Sequence, residues 1–178
     1  MGNRISLSQE VFGIEEVAVS HLDFDRSIRF YYSNPSTQQL DPKFVGYSPI
    51  ELEQERDERL EELDKNSAFM VLTAVEARLK VDFLLRCKQR KKDSLSEHYQ
   101  SIRKTKGDNI SFEETILDGW KTHYPHSKAL MSALKGAFNF RNWIAHGRYW
   151  VPKFGRKYDF STVYDLADEI HKLPLLSE

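Results

Sequence analysis

The pattern of residues 48–85 constrains the fold most, because it predicts one long helix that is apolar on two sides. Ser48, Pro49 and Glu51 begin it as a capping box, with the serine before the first turn and the glutamate three residues later. One apolar stripe of the helical wheel contains Ala68, Leu72, Val75, Leu79 and Phe83. A second stripe on the far side contains Met70, Ala74, Ala77, Val81 and Leu84. We therefore expect a central helix packed between neighbours, and the pattern leaves open a break near residues 66–67.

The other strong segments of the chain also predict helices. Further helices are expected at residues 94–104, 111–122, 126–146 and 161–172. Residues 15–32 fit a helix, although two short strands fit them as well, and residues 33–47 are typical of a loop. The prediction is a single all-α domain, a bundle of four to six helices. It consists of an N-terminal extension of uncertain structure at residues 1–47 and a helical domain at residues 48–178.

Length and composition exclude several classes of protein. The chain has 178 residues, enough to bury a core without a disulfide or a structural metal. Cys87 is its only cysteine, as expected for a reducing compartment. No signal-peptide pattern and no apolar run of about 18 residues is found, so we expect a soluble cytoplasmic protein with no membrane role. His123 and His126 flank Pro125 and lack further ligands, so neither a metal site nor a cofactor is predicted.

Charge is distributed unevenly along a chain whose formal net charge is −1. Residues 51–64 contain eight acids and two arginines, whereas residues 86–106 contain eight bases and two acids. Residues 141–159 add five bases and one acid. This clustering favours a basic face that attracts a polyanion, and ordinary solvated helix surfaces account for it equally well.

The helix predicted at residues 126–146 places a cation within an apolar stripe. Arg141 lies among Leu130, Leu134, Ala137, Phe138, Ile144 and Ala145 on the helical wheel. Leaving one charge of a buried pair without its partner costs about 3–5 kcal/mol. Arg141 is therefore expected either to pair with a carboxylate, for which Glu76 on the long helix is the candidate, or to face a polar cleft.

The same helix has two further faces. Phe140 and Trp143 lie with Ala129 and Gly136 on a second apolar stripe, which a homodimer interface or another segment of the same chain must cover. Asn142 and His146 are four residues apart on the polar face and are neighbours there. Histidine suits general acid–base chemistry near pH 7, although a surface histidine at a helix end also fits this position.

Arg141 and His146 form an R-x4-H motif late in a helix, and Asn142 directly follows the arginine. This string resembles the signature of the HEPN superfamily, the higher-eukaryote and prokaryote nucleotide-binding domains, over roughly residues 48–172. The resemblance implies a helical bundle that forms a homodimer, with two motifs facing each other across a cleft. It also implies metal-independent RNA cleavage, in which the ribose 2′-OH attacks the adjacent phosphodiester and leaves a 2′,3′-cyclic phosphate and a 5′-OH.

The resemblance assigns roles to individual residues. His146 would transfer the proton, Arg141 would stabilise the negative charge of the transition state, and Asn142 would orient the histidine or the scissile phosphate. The basic residues that would hold RNA phosphates are Arg148, Lys153, Arg156 and Lys157. Tyr149 and Trp150 would stack bases, or else would pack their loop against the core.

The resemblance further suggests a toxin or phage-defence effector with a protein partner. In related toxins a tyrosine two residues after the histidine is modified by a partner nucleotidyltransferase, whereas here that position is Arg148 and Tyr149 follows it. This departure counts against neutralisation by that route, and an antitoxin or nucleotidyltransferase partner is what the resemblance alone implies. Two other interpretations stay open: a non-catalytic module that binds RNA, nucleotide or protein, and a helical scaffold in which Arg141 forms a structural ion pair with Glu76.

Overall fold

A computed structural model describes residues 13–34, 36–37, 41–89, 91–107 and 110–176. Within these ranges the chain forms helices and no strand, which confirms the predicted all-α class. Residues 1–12 of the N-terminal extension, residues 35 and 38–40 of the predicted loop, and residues 90, 108–109 and 177–178 lie outside these ranges. None of the described helices combines the length and apolarity that a membrane-crossing segment needs.

The described ranges contain six α-helices, at the upper end of the predicted four to six. They are α1 (Ile14–Ser33), α2 (Pro49–Gln89), α3 (Ser94–Lys106), α4 (Asp118–His123), α5 (Lys128–Ala145) and α6 (Phe160–His171). Short 3-10 helices occupy Pro42–Phe44 and Pro125–Ser127, and a π-helix at Phe112–Leu117 leads into α4. Residues 15–32 are therefore helical, and the alternative of two short strands is wrong.

The long helix α2 is the centre of the fold, and α1, α3, α5 and α6 all pack against it. It begins at the predicted capping box, where the Ser48 N–H donates to the Glu51 carboxylate (2.8 Å) and the Glu51 N–H donates to the Ser48 hydroxyl (3.3 Å). The helix then runs unbroken for 41 residues, without a break at residues 66–67. Because the helix is unbroken, Glu62 in its first half lies beside Arg148, which follows the end of α5.

The two apolar stripes of α2 differ in how far they are covered. Every residue of the first stripe is buried, as predicted. In the second stripe Ala74 is buried, but Met70 and Ala77 are exposed. The expectation of a helix covered on both sides is therefore wrong at these two positions, where the second stripe meets solvent.

Arg86 is a buried charge where the sequence pattern indicates a solvated helix end. Its side chain is 3% exposed and pairs with Asp82 (2.9 Å) and Asp93 (3.0 Å). A further N–H donates to the Pro174 carbonyl oxygen (2.8 Å), and the guanidinium lies over the Trp120 ring. Arg86 thus joins α2 to the start of α3 and to the C-terminal segment, and it does not belong to the predicted basic surface.

The second stripe of α5 is covered by the same chain. Phe140 is buried, the Phe154 ring packs edge-on against both Phe140 and Trp143 (5.7 Å between ring centres), and Tyr158 stacks on Phe140 (5.6 Å). The Tyr158 hydroxyl occupies the space beside Gly136 in which a Cβ would stand. These aromatic side chains therefore follow the same-chain alternative and give no support to a homodimer interface.

Candidate functional site

Helix α5 places Arg141 against the middle of α2, where its guanidinium is ion-paired with the Glu76 carboxylate. The two side chains are 24% and 15% exposed, and Glu76 also pairs with Lys80 on its own helix (2.6 Å). The carboxylate partner expected for a cation in an apolar stripe is thus present, and it is Glu76.

Arg141 has further contacts and one donor without a partner. Its Nη1 donates to the Asn142 side-chain oxygen (3.0 Å), and the guanidinium carbon lies 5.2 Å from the centre of the Phe138 ring. The Nε–H is buried without an acceptor. Burial lowers the pKa of Arg141, yet an arginine stays protonated at neutral pH. A buried donor without a partner costs about 1–3 kcal/mol, so the contacts with Glu76 and Asn142 do not satisfy every donor of the guanidinium.

His146 caps the C-terminal end of α5, and its side chain is exposed. The backbone N–H of His146 donates to the Asn142 carbonyl oxygen (3.0 Å), and Gly147 follows with φ +77°, a left-handed conformation that glycine commonly supplies after a helix end. The imidazole ring centre lies 6.5 Å from that of Trp150. The imidazole is therefore accessible to a ligand from solvent.

Asn142 connects the two ends of the motif. Its side-chain oxygen accepts from Arg141, and its backbone oxygen accepts from the His146 N–H. The side chains of Arg141 and His146 nevertheless have different surroundings, because Arg141 contacts α2 and His146 lies beside Trp150. The structure thus brings the Asn142 side chain to the arginine, and the expectation that Asn142 orients the histidine or the scissile phosphate stays a prediction.

Arg148, predicted to bind phosphate, is paired with an acid of α2. Its Nη1 lies 2.7 and 2.8 Å from the two carboxylate oxygens of Glu62, and its guanidinium lies over the Trp143 ring. This hydrogen bonding lowers the pKa of Glu62. Arg148 also adopts φ +58°, the left-handed region that non-glycine residues rarely occupy. In this conformation the arginine anchors the start of the loop that joins α5 to α6.

The remaining residues predicted to bind RNA lie on that loop and are exposed. Tyr149 is 82% exposed, and Lys153 and Arg156 also face solvent, with Arg156 over the Tyr158 ring. Lys157 is exposed too and lies 3.3 Å from the Asp159 carboxylate. The loop therefore presents three accessible cations and one exposed phenol ring, while Phe154 and Tyr158 of the same loop pack against the core.

A cavity of about 760 Å³ is lined in part by the same loop, and the sequence did not indicate it. Its lining includes His21 and Arg29 of α1, Asp64 and Lys65 of α2, and Arg156 and Lys157 of the loop. Asp64 accepts a hydrogen bond from the Phe160 N–H at the start of α6 (3.2 Å), and burial raises the pKa of this carboxyl group. Only the packing of α1 on α2 brings these residues together, and no local motif signals that contact.

The chain matched no protein-family model, no curated protein and no solved structure. Among the described residues, no group of three or more His, Cys, Asp and Glu side chains is placed to hold a metal ion.

Proposed function

We propose that this protein is a metal-independent endoribonuclease of the HEPN type, with Arg141, Asn142 and His146 as its active site. The observation that carries the proposal is the placement of His146 and Arg141 near the C-terminal end of α5. His146 presents an exposed imidazole five residues after Arg141, whose guanidinium donates a hydrogen bond to the Asn142 side chain. An acid–base group and a cation near one helix end are the two components that RNA transesterification needs.

In the proposed reaction, neutral His146 accepts the proton of a ribose 2′-OH, and the oxygen attacks the adjacent phosphorus. The bond from phosphorus to the 5′-oxygen then breaks, and this oxygen takes a proton as it leaves. The products are a 2′,3′-cyclic phosphate and a 5′-OH. Arg141 stabilises the negative charge on the phosphorane oxygens, and the hydrogen bond to Asn142 helps to hold the guanidinium in place.

The proposal includes a homodimer, because the reaction uses both a base and an acid and each motif supplies one histidine. A two-fold arrangement of two motifs provides both groups. Light scattering on the purified protein is then expected to give twice the 20.9 kDa mass of one chain. A mass of one chain at the concentrations at which RNA is cut would contradict this part of the proposal.

The decisive experiment is incubation of RNA with the protein in EDTA. Wild type is expected to cut and to leave cyclic phosphate ends, whereas His146→Ala should be slower by about 100-fold or more, as for loss of a general acid–base group. His171→Ala is the matched control, since His171 is exposed at the end of α6 and lies outside the motif. Intact RNA with wild type, or equal cleavage by His146→Ala, would refute the enzymatic proposal.

A non-catalytic HEPN-like module that binds RNA, nucleotide or protein is the second candidate. The observation that favours it is the Arg141–Glu76 ion pair, because a cation held by a carboxylate is less available to a phosphate. Retained RNA binding without cleavage in the same experiment would support this module. An antitoxin or nucleotidyltransferase partner remains a prediction, for which the exposed Tyr149 offers an accessible hydroxyl.

A further inference from the structure

Two histidines from different helices meet at a place remote from the R-x4-H motif. His98 on α3 and His123, the last residue of α4, have ring centres 4.8 Å apart and ring planes tilted by 41°. His123 precedes the start of α5, whereas His146 follows its end. Because the 18 residues of α5 span about 27 Å, the histidine pair is a separate feature of the fold.

Close packing of α3 on α4 holds the backbone on both sides of the pair. The buried Tyr99, next to His98 in the chain, donates its hydroxyl hydrogen to the Ile116 carbonyl oxygen (3.0 Å). A Cβ at Gly119 would stand 2.6 Å from a Tyr99 ring carbon, so glycine at this position lets α4 approach α3 closely. Gly119 lies one helical turn before His123. The two imidazoles are thus carried by backbones that buried contacts fix relative to each other.

The ring nitrogens of the pair are available to a ligand. The His123 Nδ1 is hydrogen-bonded to the hydroxyl of Ser94, which lies one turn before His98 on the same face of α3. When the Nδ1–H donates to such an oxygen, the Nε2 lone pair is left for a ligand, and metal-binding histidines are commonly oriented in this way. The His98 ring has no hydrogen-bond partner in the part of the chain that the structure describes. Burial and the neighbouring His123 lower the pKa of His98, so its ring is neutral at neutral pH.

The spacing of the two rings fits a shared metal ion. With metal–nitrogen bonds of about 2.0–2.1 Å and a tetrahedral angle, two imidazoles on one zinc ion have ring centres about 5 Å apart. Imidazole nitrogen suits transition-metal ions such as Zn²⁺ and Ni²⁺, whereas Mg²⁺ prefers oxygen ligands. Two protein ligands leave the other coordination positions to water, so we expect weaker binding than at a structural zinc site with four protein ligands.

We propose that His98 and His123 together bind one divalent transition-metal ion of the zinc class, and that Ser94 orients the His123 ring. The ion joins α3 to the end of α4 and so stabilises the fold, and it takes no part in the proposed RNA cleavage. The spacing of His123 and His126 did not indicate this site, because the second ligand comes from another helix.

Isothermal titration calorimetry with Zn²⁺ tests the site in the full chain, after treatment with EDTA and removal of the chelator. Wild type is expected to bind one zinc ion per chain, and Mg²⁺ should give no binding heat. His98→Ala and His123→Ala should each lose this binding, and Ser94→Ala should weaken it by about 10- to 100-fold, as for loss of a group that orients a ligand. The matched control is His126→Ala, at an exposed position three residues after His123, which should bind zinc as wild type does.

A measurement on the unsubstituted chain does not depend on how the variants fold. In NMR spectra, the ring signals of His98 and His123 should shift together up to one equivalent of Zn²⁺, and the melting temperature should rise with the free zinc concentration. No zinc binding by wild type, unchanged binding in both alanine variants, or ring shifts confined to other histidines would overturn the proposal. A ratio of one ion to two chains would overturn it too, because the ion would then be shared between copies.

Discussion

The Arg141 guanidinium is ion-paired with the Glu76 carboxylate, so the cation of the R-x4-H motif is held by the central helix. The two side chains are 24% and 15% exposed, and the arginine has one buried donor without an acceptor in the part of the chain that the structure describes. The pair therefore joins α5 to α2 and fixes the position of the guanidinium against the central helix.

Removal of the negative charge at Glu76 should destabilise the protein. We expect Glu76→Gln to lower the free energy of unfolding by about 1–2 kcal/mol, because Arg141 then keeps only a neutral partner. Urea denaturation measures the change, and Glu58→Gln, at an exposed position of the same helix, should stay within about 0.5 kcal/mol of wild type. In a double-mutant cycle with Arg141→Met, the losses of unfolding free energy in the two single variants should not add up in the double variant. Additive losses would show that the two side chains are not coupled.

Acid should weaken the attachment of the 42–47 segment to α2. The pKa of Glu55 is lowered to about 2, chiefly by its hydrogen bond with Lys43. Burial opposes this shift, and hydrogen bonds with Arg59 and Tyr32 add to it. A carboxyl group with a lowered folded-state pKa stabilises the fold above its unfolded value near 4.5, and this stabilisation is lost as the pH falls toward 2. Thermal melting of wild type and Glu55→Gln should therefore differ above pH 5 and converge toward pH 2. The exposed Glu53→Gln variant should follow wild type throughout, and a gap for Glu55→Gln that widens in acid would contradict the assignment.

The buried Arg86 should be essential for stability, whereas its neighbour Lys88 should not. Arg86→Leu leaves Asp82, a fully buried carboxylate, without its cation, and breaking a buried pair in this way costs about 3–5 kcal/mol. Lys88→Leu, at an exposed position of the same helix end, is the control. Chemical denaturation of both variants checks the contrast, and similar midpoints for the two would mean that Arg86 is solvated in solution.

The fit between Gly136 and Tyr158 can be tested by a pair of substitutions. An alanine Cβ at position 136 would stand 2.6 Å from the Tyr158 hydroxyl oxygen. Overpacking lowers the free energy of unfolding by about 1–3 kcal/mol, and the better helix propensity of alanine raises it by about 1 kcal/mol. Gly136→Ala should therefore be neutral to moderately destabilising. In a Tyr158→Phe background, where the hydroxyl is absent, the same substitution should become stabilising. Equal effects of Gly136→Ala in both backgrounds, measured by thermal unfolding, would exclude this contact.

Local signals account for the parts of the fold that the sequence predicts. Ser48 with Glu51, and Gly147 after α5, mark helix ends through contacts within a few residues, so these boundaries follow from the sequence. The partner of Arg141 was also predictable, because an arginine in an apolar stripe requires an acid and Glu76 lies at the edge of the stripe that α2 buries.

Other features depend on segments that are distant in sequence. Arg86 and Asp82 have the spacing of an ordinary surface pair, and only the C-terminal segment at Pro174 shows that they are buried. Arg148 carries the charge expected of a phosphate ligand, yet Glu62 on α2 holds it. Periodicity along one helix contains no information about either neighbour, which is why these two arginines were assigned to a basic surface.

The Arg148–Glu62 contact has a practical consequence for mutagenesis of this chain. Glu62 belongs to the acidic run of α2, which also contains surface carboxylates. A neutral residue at position 62 would remove the contact that holds Arg148, and with it the start of the backbone that carries Tyr149 and Trp150. Loss of RNA recognition in a charge-neutralised acidic run would then reflect a displaced loop, and it would say nothing about repulsion between carboxylates and phosphates.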